Sequence, residues 1–377
     1  MSEAIQPFTV DIPAPEIDDL KDRLRRARWA DSAPVDDWSQ GVPLDYLRSL
    51  CDHWLHGYDW SARQDRLNSF AQFRTEIDGL GIHFLHVRSR HDDALPLVLT
   101  HGWPGSVVEF LDVIAPLTDP TAHGGQASDA FHVVVPSLPG YGFSDKPQQT
   151  GWGVQKTADA WAALMARLGY SRYGAQGGDW GSMVTTAIGQ QDPDHVAGIH
   201  INMVLGFPGP DDELTEREQD ALAGVNAYMD KDSGYSKQQS TRPQSLGYGL
   251  VDSPVGQCAW ILEKFWSWSD TDGDPVGRLG ADRILDNVML YWLPATGASS
   301  ARMYWESFNN PPLGPVSVPM GGSVFPKEIF RSSRRWAERQ YSDIRYWNEP
   351  EVGGHFAAFE QPEIFVDEVR GFFRTVR

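Results

Sequence analysis

The sequence stretch GAQGGDWGSM, residues 174–183, places an aspartate, Asp179, at the centre of a small-x-nucleophile-x-small pattern. This pattern is typical of a sharp turn from a strand into a helix, where small residues are needed because neighbouring backbone passes close. Gly177 and Gly181 supply those small residues. Most such turns carry a serine that a base must activate, whereas a carboxylate is already ionised at neutral pH and is favoured at a helix N-terminus. The pattern therefore predicts that Asp179 attacks an electrophile directly and becomes an ester.

An ester on Asp179 must then be hydrolysed, which requires a base and an acidic residue that orients the base. In chains with such a turn, the acid and then the histidine follow the nucleophile along the sequence. The stretch EVGGHFAAFEQP provides His355, and GSVFPKEIF provides Glu328 just after a predicted strand. Asp343 lies nearer to His355 in sequence and is the alternative acid.

Hydrolysis of that ester passes through a tetrahedral oxyanion, which needs N–H donors. One donor is expected from the residue after the nucleophile, Trp180, and the second from a loop after an earlier strand. The loop LTHGWPGS, residues 99–106, fits this role with the N–H of Trp103, and a cis bond before Pro104 would fix the turn. Each motif is weak alone, but their order and their positions after predicted strands favour one shared site.

Alternating strands and helices are predicted around these motifs. Short apolar runs such as PLVLT and FHVVVP indicate buried strands, and VQKTADAWAALMARLGY has the periodicity of an amphipathic helix. This alternation predicts an α/β fold with a parallel sheet covered by helices. The predicted segments are an N-terminal one of helices and loops packing on the core (1–80), the first part of the α/β core (81–206), a helical cap (207–305) and the second part of the core (306–377).

The charge and cysteine content exclude several classes of partner. The chain has 377 residues and a formal net charge of −19, which opposes binding to nucleic acid or to an anionic membrane. Its two cysteines, Cys51 and Cys258, form neither a disulfide framework nor a metal-binding pattern. Since no signal peptide or membrane span is recognised, a soluble cytoplasmic protein is expected. No cofactor or metal is expected, and the oligomeric state is left open, with a homodimer as one alternative.

Taken together, these motifs resemble those of the microsomal-type epoxide hydrolases, which have the α/β-hydrolase fold. The resemblance spans nearly the whole chain and rests on FTVDIPAPEIDDLKDRLRRARW, HGWPGS, GGDWGS, DSPVGQCAWILEKF and GGHFAAFEQPE. It implies a mostly parallel central sheet with a helical cap, and conversion of an epoxide and water into a vicinal diol without a cofactor. It also implies that Asp179 is the nucleophile, His355 the base and Glu328 the acid.

The resemblance further implies two cap tyrosines whose hydroxyls stabilise the opening oxygen of the epoxide. The stretches DSGYSKQQ and ARMYWESF match these sites and give Tyr235 and Tyr304. Tyr291 and Tyr248 are the alternatives. Without the family match, each of these tyrosines would be interpreted as a packing residue.

Several aromatic residues bear on the substrate. Those expected to line its site are Trp103, Pro104, Trp180 and Phe356. Cap tryptophans indicate a bulky or aromatic epoxide, and a natural-product epoxide is one candidate; these tryptophans are Trp260, Trp266, Trp268 and Trp292. Many members of the family begin with a membrane anchor that this sequence lacks, so a soluble bacterial form is expected, acting in natural-product biosynthesis or detoxification.

Two other functions stay open on the sequence. A haloalkane dehalogenase uses the same kind of Asp nucleophile, followed by a tryptophan that binds halide, and Trp180 follows Asp179 here. Two phenols in the cap do not suit a halide, which needs N–H donors when it leaves. A non-catalytic relative used for ligand binding would usually lack one of the three catalytic residues, and this chain keeps all three.

Overall fold

A single mixed sheet forms the centre of the computed structural model, which describes residues 4–308 and 314–377. Its strands are β1 (Gln6–Phe8), β2 (Gln72–Ile77), β3 (Leu80–Val87), β4 (Leu95–Thr100), β5 (Phe131–Pro136), β6 (Tyr173–Gly177), β7 (Val196–Ile201), β8 (Met320–Ser323) and β9 (Ile344–Asn348). Their order across the sheet is β1-β2-β3-β5-β4-β6-β7-β8-β9. The first three pairs in this order, β1 with β2, β2 with β3 and β3 with β5, are antiparallel. The remaining five pairs, which run from β5 and β4 to β8 and β9, are parallel. The predicted mostly parallel sheet is confirmed.

Helices cover both faces of this sheet. They are α1 (Ala14–Arg25), α2 (Leu44–His56), α3 (Trp60–Asn68), α4 (Leu111–Thr118), α5 (Val154–Arg167), α6 (Trp180–Gln191), α7 (Glu216–Lys231), α8 (Gly234–Thr241), α9 (Pro243–Asp252), α10 (Pro254–Trp268), α11 (Pro275–Leu279), α12 (Ala281–Trp292), α13 (Gly297–Ser307), α14 (Arg334–Ala337), α15 (Ala357–Glu360) and α16 (Pro362–Phe373). In β6, Gly174 lies against Phe373 of α16, whereas Gly177 lies against Gly181 of α6. Because these two glycines are three residues apart, they face opposite sides of the sheet, so α6 and α16 lie on different faces.

The helices α7 to α13 follow β7 and precede β8, and they pack on one another as a cap. α13 packs on α8 and α9, and α10 packs on α9 and α12. The capping box that opens α7 pairs the Thr215 side chain with Glu218, which fixes the start of this helix. In this arrangement α8 and α13 carry Tyr235 and Tyr304, which are both buried.

The N-terminal segment differs from its prediction in two respects. Helices and loops were expected over residues 1–80, but β1 and β2 extend the antiparallel edge of the sheet. A two-residue turn, Asp78 and Gly79 with positive φ at both positions, joins β2 to β3, and an Asp-Gly turn is a strong hairpin signal. The segment also packs on the cap, since α1 and α2 contact α10 and the Trp38 ring stacks on Trp266 at 4.9 Å.

Two short stretches of the predicted segments, residues 1–3 and 309–313, lie outside the described residues. Of the helices in the described part of the chain, none combines the length and the apolar character needed to cross a bilayer. The division of the chain at residues 80, 206 and 305 stays a prediction.

Candidate active site

Asp179 lies at the sharp turn between β6 and α6, as the sequence pattern predicts. Its backbone has φ 51° and ψ −129°, a conformation that non-glycine residues rarely adopt and that is typically maintained at functional sites. The turn depends on glycine on both sides. A Cβ on Gly177 would lie 2.1 Å from the carbonyl oxygen of Gly181, and one on Gly181 would lie 1.9 Å from that of Thr100. The two small residues are therefore required by close backbone contacts.

The loops after β8 and β9 bring a carboxylate and an imidazole to Asp179. His355 Nε2 lies 3.3 Å from Asp179 Oδ2, and His355 Nδ1 lies 2.7 Å from Glu328 Oε1. Glu328 is fully buried and also accepts a hydrogen bond from the N–H of Ile329 at 2.7 Å. The alternative acid, Asp343, is partly exposed and pairs with Arg345. The geometry thus favours Glu328 over Asp343 as the partner of the imidazole.

The charge state of His355 is set by opposing effects. Burial alone would lower the pKa of the imidazole, but the negative charge of Glu328 and the hydrogen bonds to Asp179 and Glu328 raise that pKa well above its usual value. The imidazolium form is therefore favoured while both neighbours are ionised. Loss of the charge on Asp179 would remove part of this support.

The loop after β4 supplies a backbone donor to the carboxylate. The N–H of Trp103 donates to Asp179 Oδ1 at 2.8 Å, and the Trp103–Pro104 peptide is cis. Trp180 is the first residue of α6, so its N–H has no carbonyl acceptor within that helix. Of the two predicted oxyanion donors, the N–H of Trp103 contacts the Asp179 carboxylate and that of Trp180 directly follows Asp179 in the chain.

A cavity of about 580 Å³ lies above Asp179, between the sheet and the cap. Tyr235 and Tyr304 line it together with Asp179 and Trp180. Tyr235 stacks on the Trp103 ring, with centroids 4.8 Å apart, and Tyr304 meets the Trp180 ring edge-on at 4.8 Å. The two tryptophan rings thus support the two tyrosines, and the Trp103 ring also meets Tyr304 edge-on at 5.9 Å.

Family models match two parts of the chain: "Epoxide hydrolase N terminus" matches residues 5–110, and "alpha/beta hydrolase fold" matches residues 96–245. A protein of Stigmatella aurantiaca (strain DW4/3-1), provisionally named an epoxide hydrolase, is 56% identical over 376 residues, which cover 99% of this chain and 86% of that protein. Epoxide hydrolase 1 of Oryctolagus cuniculus is 35% identical over 411 residues, covering 99% and 90% of the two chains. The chain belongs to the epoxide hydrolase family.

Solved structures agree with this assignment. The crystal structure of juvenile hormone epoxide hydrolase from the silkworm Bombyx mori aligns with a TM-score of 0.92 at 31% identity. The alignment covers 100% of this chain and 95% of that one. Aspergillus niger epoxide hydrolase aligns with a TM-score of 0.90 at 34% identity, covering 100% of this chain and 97% of that one. The predicted α/β-hydrolase fold and the predicted enzyme class, a hydrolase acting on ether bonds, are confirmed.

Among the tyrosines of this epoxide hydrolase, Tyr235 and Tyr304 line the large cavity together with Asp179, whereas the two alternatives lie elsewhere. Tyr291 donates to the carbonyl of Gly105 at 2.6 Å, and Tyr248 is 67% exposed. Burial, together with the charge of Asp179 and the neighbouring phenols, raises the pKa of Tyr235 and of Tyr304 well above the usual value. Both side chains are therefore neutral phenols that can donate a hydrogen bond.

Three of the four residues expected to bind the substrate, Trp103, Pro104 and Phe356, do not line the large cavity. Pro104 does not line either cavity beside Asp179; its carbonyl accepts from Asn287 Nδ2 at 2.7 Å. Phe356 stacks on Phe265 at 4.4 Å and lines a second, small cavity rather than the large one. The cap tryptophans do not line the large cavity either. Its apolar lining consists of Met183, Met203, Leu205, Phe207, Met229, Phe308, Ile329 and Phe330, together with the Trp180 ring.

The cap tryptophans have other contacts, and only Trp268 among them is fully buried. Trp260 donates to Gln239 at 3.0 Å, Trp266 stacks on Trp38, and Trp268 donates to Asp232 at 2.6 Å. Tryptophan is large and amphipathic, and it serves packing between the cap and its neighbours as readily as ligand binding. The inference of an aromatic substrate from these residues is therefore unsupported.

The small cavity, about 10 Å³, lies between Asp179, His355 and a residue that sequence analysis missed, Glu109. Burial raises the pKa of Glu109 to about 8, with the charge of His355 acting against this shift and that of Asp179 adding to it. The Glu109 carboxyl is thus mostly protonated at neutral pH. Its one sequence signal is weak: it follows the HGWPG loop by four residues.

Two more polar side chains near Tyr235 were missed because a sequence does not show which cap residues meet. The hydroxyl of Tyr228 lies 2.9 Å from that of Tyr235. The ammonium group of Lys264, buried at 1% exposure, lies 4.6 Å from the centre of the Tyr235 ring and 2.5 Å from Asp232. Tyr235 is therefore held by polar groups as well as by aromatic rings.

The loop that carries Trp103 allows a prediction for Gly102→Ala. An added Cβ would lie 2.1 Å from Asp179 Oδ1, so the carboxylate or the loop must move. Because a displacement of about 1 Å can cost about 100-fold in rate, kcat for epoxide hydrolysis is expected to fall by roughly that factor. Steady-state kinetics with styrene oxide measure the loss. Gly249→Ala is the matched control, because its new methyl meets open space; equal rates for both variants would contradict the prediction.

Proposed function

We propose that this member of the family opens its epoxide with Asp179 and hydrolyses the resulting ester with His355. The observation that carries the proposal is that Asp179 lines two cavities at once. The large one contains the phenols of Tyr235 and Tyr304, and the small one contains His355. Substrate and water therefore have separate approaches to a single carboxylate.

In the first step, a carboxylate oxygen of Asp179 attacks one epoxide carbon from the side opposite the breaking C–O bond. The electron pair of that bond moves to the epoxide oxygen, which takes a hydrogen bond and then a proton from Tyr235 or Tyr304. Two neutral phenols in a buried site supply this stabilisation where the charge develops. The product is a hydroxyalkyl ester of Asp179.

In the second step, His355 takes a proton from water, and the oxygen of that water attacks the ester carbonyl carbon. The small cavity is about 10 Å³, close to the least space that holds one water. Glu328 orients the imidazole and stabilises its charge, while the N–H groups of Trp103 and Trp180 hold the oxyanion. When the intermediate collapses, its bond to the alcohol oxygen breaks and that oxygen takes the proton held by His355. The proton left on the Asp179 carboxyl returns to the deprotonated tyrosine, so the diol leaves with Asp179, His355 and the tyrosine restored. No step needs a metal or cofactor.

The preferred substrate is a bulky apolar epoxide. A volume of about 580 Å³ falls in the usual range for small-molecule sites, and most of the lining residues are apolar or aromatic. Phe207, Met229 and Phe308 at its edge are at least half exposed and give the entrance an apolar rim. This lining supports lipophilic epoxides in general, natural-product epoxides among them.

A series of terminal epoxyalkanes tests the substrate proposal. Since each buried methylene contributes about 0.8 kcal/mol, kcat/KM is expected to rise about three- to fourfold per added methylene until the cavity is filled. Chiral chromatography of the diols gives the rate and the enantiopreference together. Rates that are flat along the series would contradict the proposed apolar site.

The indole of Trp180 is a feature that also suits a haloalkane dehalogenase. The indole N–H of Trp180 is buried and has no hydrogen-bond partner in the part of the chain that the structure describes. Chloroalkanes of matched length therefore belong in the same experiment. Halide release from them, with no diol from the epoxides, would reverse the proposal.

We also propose a cytoplasmic location, supported by the state of the cysteines. Cys51 and Cys258 are remote in sequence, yet both are buried free thiols, and a hydrogen bond with Cys51 helps to raise the pKa of Cys258. Two buried cysteines without the sequence spacing of a disulfide framework fit a reducing compartment. Thiol titration of protein unfolded without reductant should find both groups, and a disulfide would contradict this location.

A further inference from the structure

A third tyrosine, Tyr228, contacts the phenol that we assign to epoxide opening. Tyr228 is in α7 and Tyr235 in α8, and their hydroxyl oxygens are 2.9 Å apart. Either hydroxyl can be the donor in this pair. Tyr228 also lines the large cavity above Asp179. Tyr228 therefore lies at the wall of the cavity that contains Asp179, with its hydroxyl next to that of Tyr235.

The surroundings of Tyr228 hold its ring in place. Phe330 meets it edge-on with centroids 5.2 Å apart, and Trp268 lies 6.5 Å away. The ring lies between two cavities, the apolar one above Asp179 and a more polar one of about 770 Å³ lined by Lys231 and Asp232. A phenol with its ring packed and its hydroxyl directed at another hydroxyl suits a precise hydrogen bond.

Proton counting decides the direction of that bond during the reaction. A hydroxyl has one proton to donate and can accept through its lone pairs. If Tyr235 donates its proton to the epoxide oxygen, it can only accept from Tyr228. The hydrogen-bond chain then runs from Tyr228 through Tyr235 to the substrate oxygen. In such a chain each bond polarises the next and strengthens it.

We propose that Tyr228 is a positioning residue for epoxide opening, donating a hydrogen bond to Tyr235 and thereby aiming and polarising the Tyr235 hydroxyl towards the epoxide oxygen. This proposal rests on the proposed function of Tyr235. The effect is confined to ester formation, because hydrolysis of the ester uses His355 and water on the other side of Asp179. Binding of the epoxide in the apolar cavity is not expected to depend on the hydrogen bond between Tyr228 and Tyr235.

A double-mutant cycle on ester formation tests the proposal. In a His355→Gln background, where hydrolysis is blocked, stopped-flow tryptophan fluorescence and mass spectrometry follow the ester formed from styrene oxide. Tyr228→Phe is expected to slow ester formation roughly three- to tenfold, the usual effect of one hydrogen bond. The concentration that gives half the maximal rate should change by less than about twofold. In a Tyr235→Phe background, adding Tyr228→Phe should change the rate by less than about twofold, because the chain is already broken.

Tyr248→Phe is the matched control, since that tyrosine is 67% exposed and lines none of these cavities. Thermal unfolding of each variant shows whether the cap is intact. If Tyr228→Phe slows ester formation by the same factor in both backgrounds, the residue acts through packing and the proposal is overturned; an unchanged rate in the parent background overturns it too. If Tyr235→Phe itself has no effect on ester formation, the proposed function of Tyr235 is wrong. If Tyr235→Phe slows ester formation but the cycle shows no coupling with Tyr228→Phe, only the proposal for Tyr228 is wrong.

Discussion

Asp179→Ala is expected to abolish diol formation, lowering kcat by on the order of 10⁴-fold or more, as loss of a nucleophile does in other hydrolases. The physical reason is that no other carboxylate lines the large cavity in the described residues. Glu109 lines only the small cavity, and burial keeps its carboxyl mostly protonated at neutral pH. A rate measurement with styrene oxide, and mass spectrometry for the ester, should both find nothing.

The control for Asp179→Ala is Asp343→Ala. Asp343 is the rival acid from the sequence, but it is partly exposed and paired with Arg345, so its loss should leave kcat within about twofold. Circular dichroism should show the same fold for both variants. If Asp179→Ala kept normal turnover, the nucleophile would be another residue; if Asp343→Ala lost turnover, Glu328 would not be the acid.

The parts of the fold that the sequence predicts are those with strong local signals. β4, β5 and β7 are buried apolar runs bounded by turns, and a buried parallel strand gives that pattern. β2 alternates less clearly, because it lies near the sheet edge with several half-buried positions. The Asp78–Gly79 turn was the sequence signal for β2, and the prediction of helices and loops overlooked it. Edge strands are therefore where sequence reasoning failed here.

The site could be predicted as far as chain order and local motif determine it. Asp179, Glu328 and His355 each follow a strand of the parallel sheet, and such strands end at one edge. Contacts between cap and core carry no comparable signal. Trp268 illustrates this, because its position in an aromatic cap helix suggested substrate binding, yet its indole N–H is bound to Asp232. The contact between Tyr228 and Tyr235 could not be predicted for the same reason, because the two residues lie on different cap helices.

His355→Gln is expected to stop the reaction halfway, so that the ester of Asp179 accumulates. Glutamine keeps a polar side chain of similar reach but cannot take a proton from water, and loss of a general base costs roughly 10²- to 10⁴-fold. Ester formation needs no base, so it should continue. Intact-protein mass spectrometry should show a gain equal to one whole epoxide, because no atom leaves in the first step, and peptide mapping should place it on Asp179.

The same residue sets the pH dependence. In the free enzyme the pKa of His355 is raised, against the effect of burial, by the charge of Glu328 and by its hydrogen bonds to Asp179 and Glu328. Esterification removes the charge of Asp179, so the pKa of the imidazole falls when a neutral base is needed. Protonation still competes as the pH is lowered, and more of the wild-type enzyme should then be present as ester in the steady state. The exposed His195, paired with Asp192 at the end of α6, is the control, and His195→Gln should neither accumulate ester nor alter this pH profile. An ester level independent of pH in the wild type, or turnover retained in His355→Gln, would show that another group activates the water.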